Sequence, residues 1–144
     1  MLADPKLKKY VDSEHDVIKT YDVPYVAGYS EDGKHIYIDR HVKLKFNGTD
    51  ITKYLITHET TEKALLSIFK LDYQQAHHLA THAERQAVEA DGHSWKDYEA
   101  HVEPYVKKLG HEKLDKVPKD LDLEPYRDEK DPEYKKLVDK IKSE

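Results

Sequence analysis

A predicted helix carries two polar residues in the middle of an apolar stripe, and this pattern limits the folds open to the chain. The positions spaced alternately by four and three are, in order, Ile51, Leu55, His58, Glu62, Leu65 and Phe69. Such spacing places all of them on one face of an α-helix. Because the stripe is apolar at both ends, we expect its middle to be buried as well. A buried histidine and a buried carboxylate have to be paired, protonated or bound to a cation.

A second stripe of the same kind follows in the next predicted helix, which has Asp72 as its N-cap and extends to about Ala90. Its inward positions, again spaced by four and three, are Tyr73, His77, Ala80, Glu84 and Ala87. Only a few residues around Leu71 connect the two helices. We therefore expect them to pack as antiparallel neighbours.

The antiparallel packing predicts which side chains of the two helices face each other. Glu84 is expected opposite His58. His77 is expected about one helical turn, roughly 5 Å, from the level of Glu62. Glu59 lies at the edge of the same stripe. Two histidines and three carboxylates are therefore predicted to converge on one seam between the helices.

The negative charge of this cluster favours a divalent cation. Imidazole and carboxylate groups suit Zn, and also Mn, Fe or Ni. His58 and Glu62, at positions i and i+4, have the spacing that one ion needs. His77 or Glu84 is then the third ligand from the partner helix. A water molecule completes the coordination, and Glu59 is positioned to take its proton.

The run His58-Glu59-Thr60-Thr61-Glu62 resembles the His-Glu-x-x-His helix of zincin metallopeptidases, with Glu62 in place of the second histidine. The order of a strand at His35–Asp39, this helix and a further ligand on the next helix also resembles a minimal zincin, over about residues 34 to 90. In zincins whose third ligand is a glutamate, that residue lies on the following helix, as Glu84 does. The resemblance implies a metal-dependent hydrolase that acts on peptide or amide bonds through a metal-bound water, with Glu59 as the base.

Two other functions are compatible with these residues. A non-catalytic domain, of a size and composition common among accessory proteins of phage-like gene clusters, would use a structural metal or a buried His58–Glu62 network only to hold the helices together. The pattern Glu59-x-x-Glu62 followed by Glu84 also resembles the all-helical, Mg-dependent nucleoside-triphosphate pyrophosphatases, although the last acid of their pattern has no counterpart here.

The region before the stripe predicts a small antiparallel sheet. Two β-rich runs, Val23–Tyr29 and His35–Asp39, flank Asp32-Gly33, which is a turn signal for a β-hairpin. The alternating segment Val42–Phe46 is expected to be a third strand, closed by Asn47-Gly48. A strand of this sheet that lies at its edge, such as the second run, would be able to bind an extended peptide by main-chain pairing.

The prediction for the whole chain is one α+β domain over residues 1–110, with the sheet followed by a helical hairpin and a third helix. Residues 2–16 are expected to form a short helix or an arm. The expected N-cap of the stripe helix is Thr49-Asp50 or Thr52, and the helix is expected to reach Lys70. The third helix is expected to run from Ser94 to about Leu109, before Gly110. Residues 111–144 are predicted to be a charged segment that wraps the domain and ends in a short helix at 133–141. Its apolar contacts are expected from Val117, Leu121, Leu123 and Tyr126.

Composition and net charge limit the classes of partner that we expect the chain to bind. The 144 residues carry a net charge of −5, which argues against a nucleic-acid binder. No run of consecutive apolar residues approaches the length of about 18 residues that a membrane-spanning helix needs. The chain has no cysteine, which excludes thiolate ligands and makes the cytoplasm the expected compartment. A peptide or small-molecule substrate is the expected partner, and the oligomeric state stays open.

Overall fold

The computed structural model describes residues 4–12, 15–23, 26–111 and 116–122, with the backbone alone at 12 and 106–111. The elements of these ranges are α1 (Pro5–Asp12), β1 (Asp16–Ile18), β2 (Ala27–Tyr29), β3 (His35–Ile38), β4 (Lys45–Phe46), β5 (Thr49–Asp50), α2 (Thr52–Ser67), α3 (Tyr73–Ala90) and α4 (Trp95–His111). The predicted α+β fold class is confirmed. The predicted terminal helix at 133–141 and the contacts of Leu123 and Tyr126 lie outside the described residues.

Strands β2 and β3 form the predicted hairpin. They are antiparallel, with Tyr29 opposite Ile36. The turn between them requires Gly33, whose φ of +73° favours glycine. A Cβ at this position would also lie 2.5 Å from the hydroxyl oxygen of Tyr10. That hydroxyl donates a 2.7 Å hydrogen bond to the Gly33 carbonyl oxygen, so the turn is tied to α1.

The sheet has a third strand that the sequence did not predict. Strand β1 pairs in parallel with β3, with Asp16 opposite His35, and the strand order is β1-β3-β2. The sheet is therefore mixed, and β3 is its central strand. Because both edges of β3 are occupied, the expectation that the strand at Ile36–Asp39 binds a peptide by main-chain pairing is wrong.

Segment Val42–Phe46 does not extend this sheet. Only Lys45–Phe46 is a strand, and it pairs with Thr49–Asp50 in a separate two-stranded sheet. The two turn residues both have positive φ, +48° at Asn47 and +80° at Gly48, as a tight hairpin turn requires. Helix α2 begins at Thr52 and its N-cap is Ile51, so the predicted N-caps, Thr49-Asp50 or Thr52, are wrong by one or two residues. The carboxylate of the preceding Asp50 accepts hydrogen bonds from the Thr52 backbone N–H at 2.8 Å and from its hydroxyl at 2.6 Å.

Helix α2 is enclosed by the rest of the fold. It packs against α1, α3, β2 and β3. Five of the six stripe residues are buried as predicted, with at most 9% exposure at Ile51, Leu55, His58, Glu62 and Leu65. The sixth, Phe69, lies beyond the end of α2 and is partly buried. Each of its fully buried aliphatic side chains contributes about 1.5–3 kcal/mol. Thr60 and Thr61 are also buried, because α2 has neighbours on more than one side. The helix ends at Ser67 and does not reach the predicted end at Lys70. The φ of Lys70 is +56°, which is not a helical value.

The last elements of the fold are α3, α4 and the C-terminal segment. Helix α3 begins at the predicted N-cap, Asp72, which forms a capping box with Gln75. Helix α4 ends one residue beyond Gly110. Over residues 116–122 of the C-terminal segment, Val117 and Leu121 are buried, as expected of these two residues. The last part of this stretch extends the outer edge of β2, through an antiparallel bridge between Ser30 and Leu121.

Candidate functional site

The seam between α2 and α3 is organised around the ring of His58. Its Nδ1 lies 2.9 Å from Oε1 of Glu84 on α3, which confirms the predicted pairing across the seam. Its Nε2 lies 3.2 Å from Oε2 of Glu62, one turn further along α2. Both ring nitrogens therefore contact a carboxylate, one from each helix.

A second imidazole reaches the same carboxylate oxygen. His77 Nδ1, on α3, lies 3.0 Å from Oε2 of Glu62. The potential ligand atoms of His58, Glu62 and His77 all lie within 4.8 Å of one another. The two contacts to Oε2 are close to the about 3.3–3.4 Å that separates ligand atoms around a tetrahedral Zn ion with bonds of about 2.0–2.1 Å.

The cluster opens to solvent on one side. The side chain of His77 is 46% exposed, whereas those of His58 and Glu62 are 11% and 3% exposed. Ala80, the small residue between the two α3 members of the cluster, is fully buried. A ligand bound by the three residues would be reached from the side of His77.

Two buried tyrosines hold the outer oxygens of the carboxylates. Tyr29, from β2, donates a 2.9 Å hydrogen bond to Oε1 of Glu62. Tyr98, from α4, donates a 2.5 Å hydrogen bond to Oε2 of Glu84. Their rings are 0% and 1% exposed. Neither tyrosine is among the site residues predicted from the sequence. The only signal of a polar role is the composition, with eleven tyrosines against two phenylalanines.

The electrostatics of the metal-free cluster are those of a buried ion pair. Burial by itself lowers the pKa of His58, but its hydrogen bonds with Glu62 and Glu84 outweigh this and hold the pKa well above its usual value. Burial by itself raises the pKa of Glu62, but the hydrogen bonds with His58 and His77 lower it to about 2. His58 is therefore an imidazolium between carboxylates when no ion is bound.

Glu59 differs from the other carboxyl groups of the cluster. It is 8% exposed, and its carboxyl group has no hydrogen-bond partner among the described residues. Burial, followed by the nearby charge of Glu62, raises its pKa to about 8. Its side chain is thus a carboxylic acid that ionises close to neutral pH, as a general base requires.

The geometry divides the predicted site residues into two groups. The converging atoms belong to His58, Glu62 and His77, whereas Glu84 contacts the nitrogen of His58 that faces away from Glu62. This position is that of a residue that orients a ligand. His78 and His82, also on α3, are exposed.

A second group of potential ligands lies at the end of β3. Asp22, Asp39 and His41 have ligand atoms within 4.8 Å of one another. Here Arg40 already pairs with Asp22, with Nε 2.8 Å from Oδ1. Backbone N–H groups of Val23 and His41 donate to Asp39 at 2.8 Å. These contacts compensate the two buried carboxylates and hold the loop in place.

Comparison of the chain with protein-family models, with curated proteins and with solved structures finds no significant match. Function is therefore argued from the residues of the seam themselves. None of the helices in the described ranges has both the length and the apolar character needed to cross a bilayer.

Proposed function

We propose that the protein is a metal-dependent hydrolase whose ion is bound by His58, Glu62 and His77. The observation that carries the proposal is the position of one carboxylate oxygen of Glu62, which lies within 3.2 Å of ring nitrogens from two histidines on two helices. Two nitrogens and one oxygen suit Zn, and also Mn, Fe or Ni. Three protein ligands leave a coordination position for water.

The surrounding residues support this role. With an ion at Nε2 of His58, the Nδ1–H of the same ring donates to Glu84, which fixes both the tautomer and the orientation of the ring. The bound ion would lower the pKa of a coordinated water and polarise a substrate carbonyl. Glu59, which is buried beside the cluster, would accept the proton of that water and pass it to the leaving group.

The substrate class that we propose is a peptide or another amide, bound at the His77 opening. The strands that pack on α2 offer no free edge near the site. Strand β3 is central, and the outer edge of β2 is covered where the Asp122 N–H donates to the Tyr29 carbonyl oxygen at 2.8 Å. Binding would then depend on side-chain contacts, which favours a small amide over a long extended peptide. A cytoplasmic location stays part of the proposal, on the basis of the cysteine-free composition.

A second candidate function is a non-catalytic domain in which the same residues only join α2 to α3. It is favoured by the completeness of the hydrogen-bond network without an ion, since both nitrogens of His58 have carboxylate partners. The Mg-dependent pyrophosphatase alternative gains no support, because two imidazoles flank Glu62 where Mg prefers oxygen ligands alone.

Metal analysis and two substitutions, with a third as control, test the proposal. Protein purified without an affinity tag or added metal should contain about one equivalent of a transition metal, and His58→Ala should lose it. Glu59→Gln should keep the metal and the fold but lose amide hydrolysis. His78→Ala, an exposed histidine on the same helix as His77, is the control and should keep both. If the wild-type protein is purified without metal and also does not bind added Zn, the hydrolase proposal fails and the non-catalytic alternative stands.

A further inference from the structure

We propose that Tyr29 makes Glu62 a monodentate ligand and so keeps one coordination position of the ion open. This inference rests on the proposed metal site and assigns a positioning residue that lies outside the ligand set. It starts from the unequal surroundings of the two oxygens of one carboxylate.

The two oxygens of Glu62 have separate partners. Oε2 lies 3.2 Å from His58 Nε2 and 3.0 Å from His77 Nδ1. Oε1 accepts a 2.9 Å hydrogen bond from the Tyr29 hydroxyl. An ion bound by the two imidazoles therefore meets Oε2. For Oε1 to coordinate as well, the carboxylate would have to rotate and give up a buried hydrogen bond to a charged acceptor, which is one of the stronger kinds of hydrogen bond in proteins.

The position of Tyr29 is fixed by the fold. Its backbone pairs with Ile36 on one side, and its carbonyl oxygen accepts from the Asp122 N–H on the other. The Lys63 ammonium lies 5.3 Å from the ring centroid, and the ring is fully buried.

The consequence for the site is an open coordination position. His58, His77 and a monodentate Glu62 would supply three donor atoms, and a water the fourth. A bidentate Glu62 would add a fifth donor and occupy the position that a substrate carbonyl needs. Tyr29 would thus decide whether the ion keeps a position open for substrate.

Cobalt-substituted protein gives a direct test, because the visible d–d absorption of Co²⁺ depends on its coordination number. In Tyr29→Phe we expect Co²⁺ still to bind, but with the loss of band intensity and the spectral shift that accompany a higher coordination number. Tyr98→Phe is the matched control. It removes the other buried hydroxyl of the cluster, from Glu84, and should leave the shape of the spectrum unchanged.

The outcomes separate this inference from the proposed function. If Co²⁺ binds to wild-type protein but the Tyr29→Phe spectrum is the same, the role of Tyr29 is refuted and the metal site stands. If wild-type protein does not bind Co²⁺, both fail. A second measurement does without the Tyr29 variant, in case that variant does not fold. On ion binding, the infrared carboxylate bands that are lost in Glu62→Gln should show the wide splitting of monodentate coordination, and a narrow splitting would overturn the inference.

Discussion

Oε1 of Glu84 lies 2.9 Å from Nδ1 of His58, and this contact fixes an α2 side chain from α3. The carboxylate is itself held by the Tyr98 hydroxyl through its other oxygen. The ring of His58 therefore cannot turn its Nε2 away from Glu62 without breaking a buried, charge-assisted hydrogen bond. The contact makes Glu84 part of the site even though it faces away from the converging ligand atoms.

The first prediction follows from this contact. Glu84→Ala should weaken Zn binding about 10–100-fold without abolishing it, because it removes the group that orients a ligand rather than a ligand. Competition with a chromogenic chelator measures the change. Glu89→Ala, an exposed carboxylate on the same helix, should bind Zn like the wild type. Complete loss of Zn in Glu84→Ala would instead assign Glu84 as a direct ligand.

The helical part of this site could be predicted from the sequence, because it depends on local spacing. Helical periodicity and a short connection are enough to place Glu84 opposite His58 and His77 within about one helical turn of the level of Glu62. The N-cap of α3, Asp72, follows from local rules of the same kind. In the structure Glu84 contacts His58 as predicted, and the side chain of His77 reaches Glu62.

The tyrosines could not be predicted, because their contacts join distant parts of the chain. Tyr29 reaches Glu62 across 33 residues only after β2 has paired with β3 and packed on α2. Strand β1 was missed for a similar reason, since its pairing with β3 is parallel and no turn signals it. Three residues, Asp16–Ile18, are also too few for periodicity to be read.

The second prediction concerns Glu59 and the stability of the metal-free protein. A carboxyl group whose folded pKa, about 8, is above its unfolded value destabilises the fold once it ionises in the unfolded chain. The resulting loss in the free energy of unfolding is absent below a pH of about 4, grows as the pH rises and levels off above a pH of about 8. Glu59→Gln should therefore be more stable than the wild type at pH 8, by about 1–3 kcal/mol, and equal to it near pH 4.

Urea unfolding of metal-free protein at the two pH values measures this difference. Glu99→Gln, at an exposed position of α4, is the control and should change stability little at either pH. A Glu59→Gln variant that is no more stable than the wild type at pH 8 would mean that the carboxyl group is not held in its buried position.

The third prediction is that Zn binding releases a proton from His58. An ordinary imidazole would predict that binding weakens only below pH of about 6. Because the pKa of His58 is raised well above 6.5 in the metal-free protein, the proton competes with the ion at higher pH. Affinity should therefore already fall as pH decreases through the neutral range, by up to about tenfold per pH unit.

Calorimetry in buffers of different ionisation enthalpy counts the protons released per ion. We expect about one at pH 7 for wild-type protein, and none from this position in a His58→Ala variant that binds residual metal. Binding that does not change between pH 8 and pH 5 would show that carboxylates alone hold the ion.

The last prediction uses Glu62, the residue at which the chain departs from the zincin pattern. Glu62→Ala removes the oxygen between the two imidazoles and should abolish stoichiometric Zn binding. It should also destabilise the metal-free protein by about 3–5 kcal/mol, because the imidazolium of His58 loses one buried partner. Glu62→His, which restores the usual zincin pattern, should keep Zn, since a neutral imidazole supplies a nitrogen in place of Oε2.

The melting temperatures of both variants, measured with and without a chelator, test this prediction. Chelator should lower the melting temperature of wild-type protein and of Glu62→His, because an ion that binds only the folded state stabilises it. It should leave Glu62→Ala unchanged. If Glu62 only pairs with His58, the histidine variant would be no more stable than the alanine variant, and chelator would not affect any of the three proteins. If the wild-type protein is also purified without metal, the seam would serve only to hold α2 and α3 together. Glu59 would then have no metal-bound water to deprotonate.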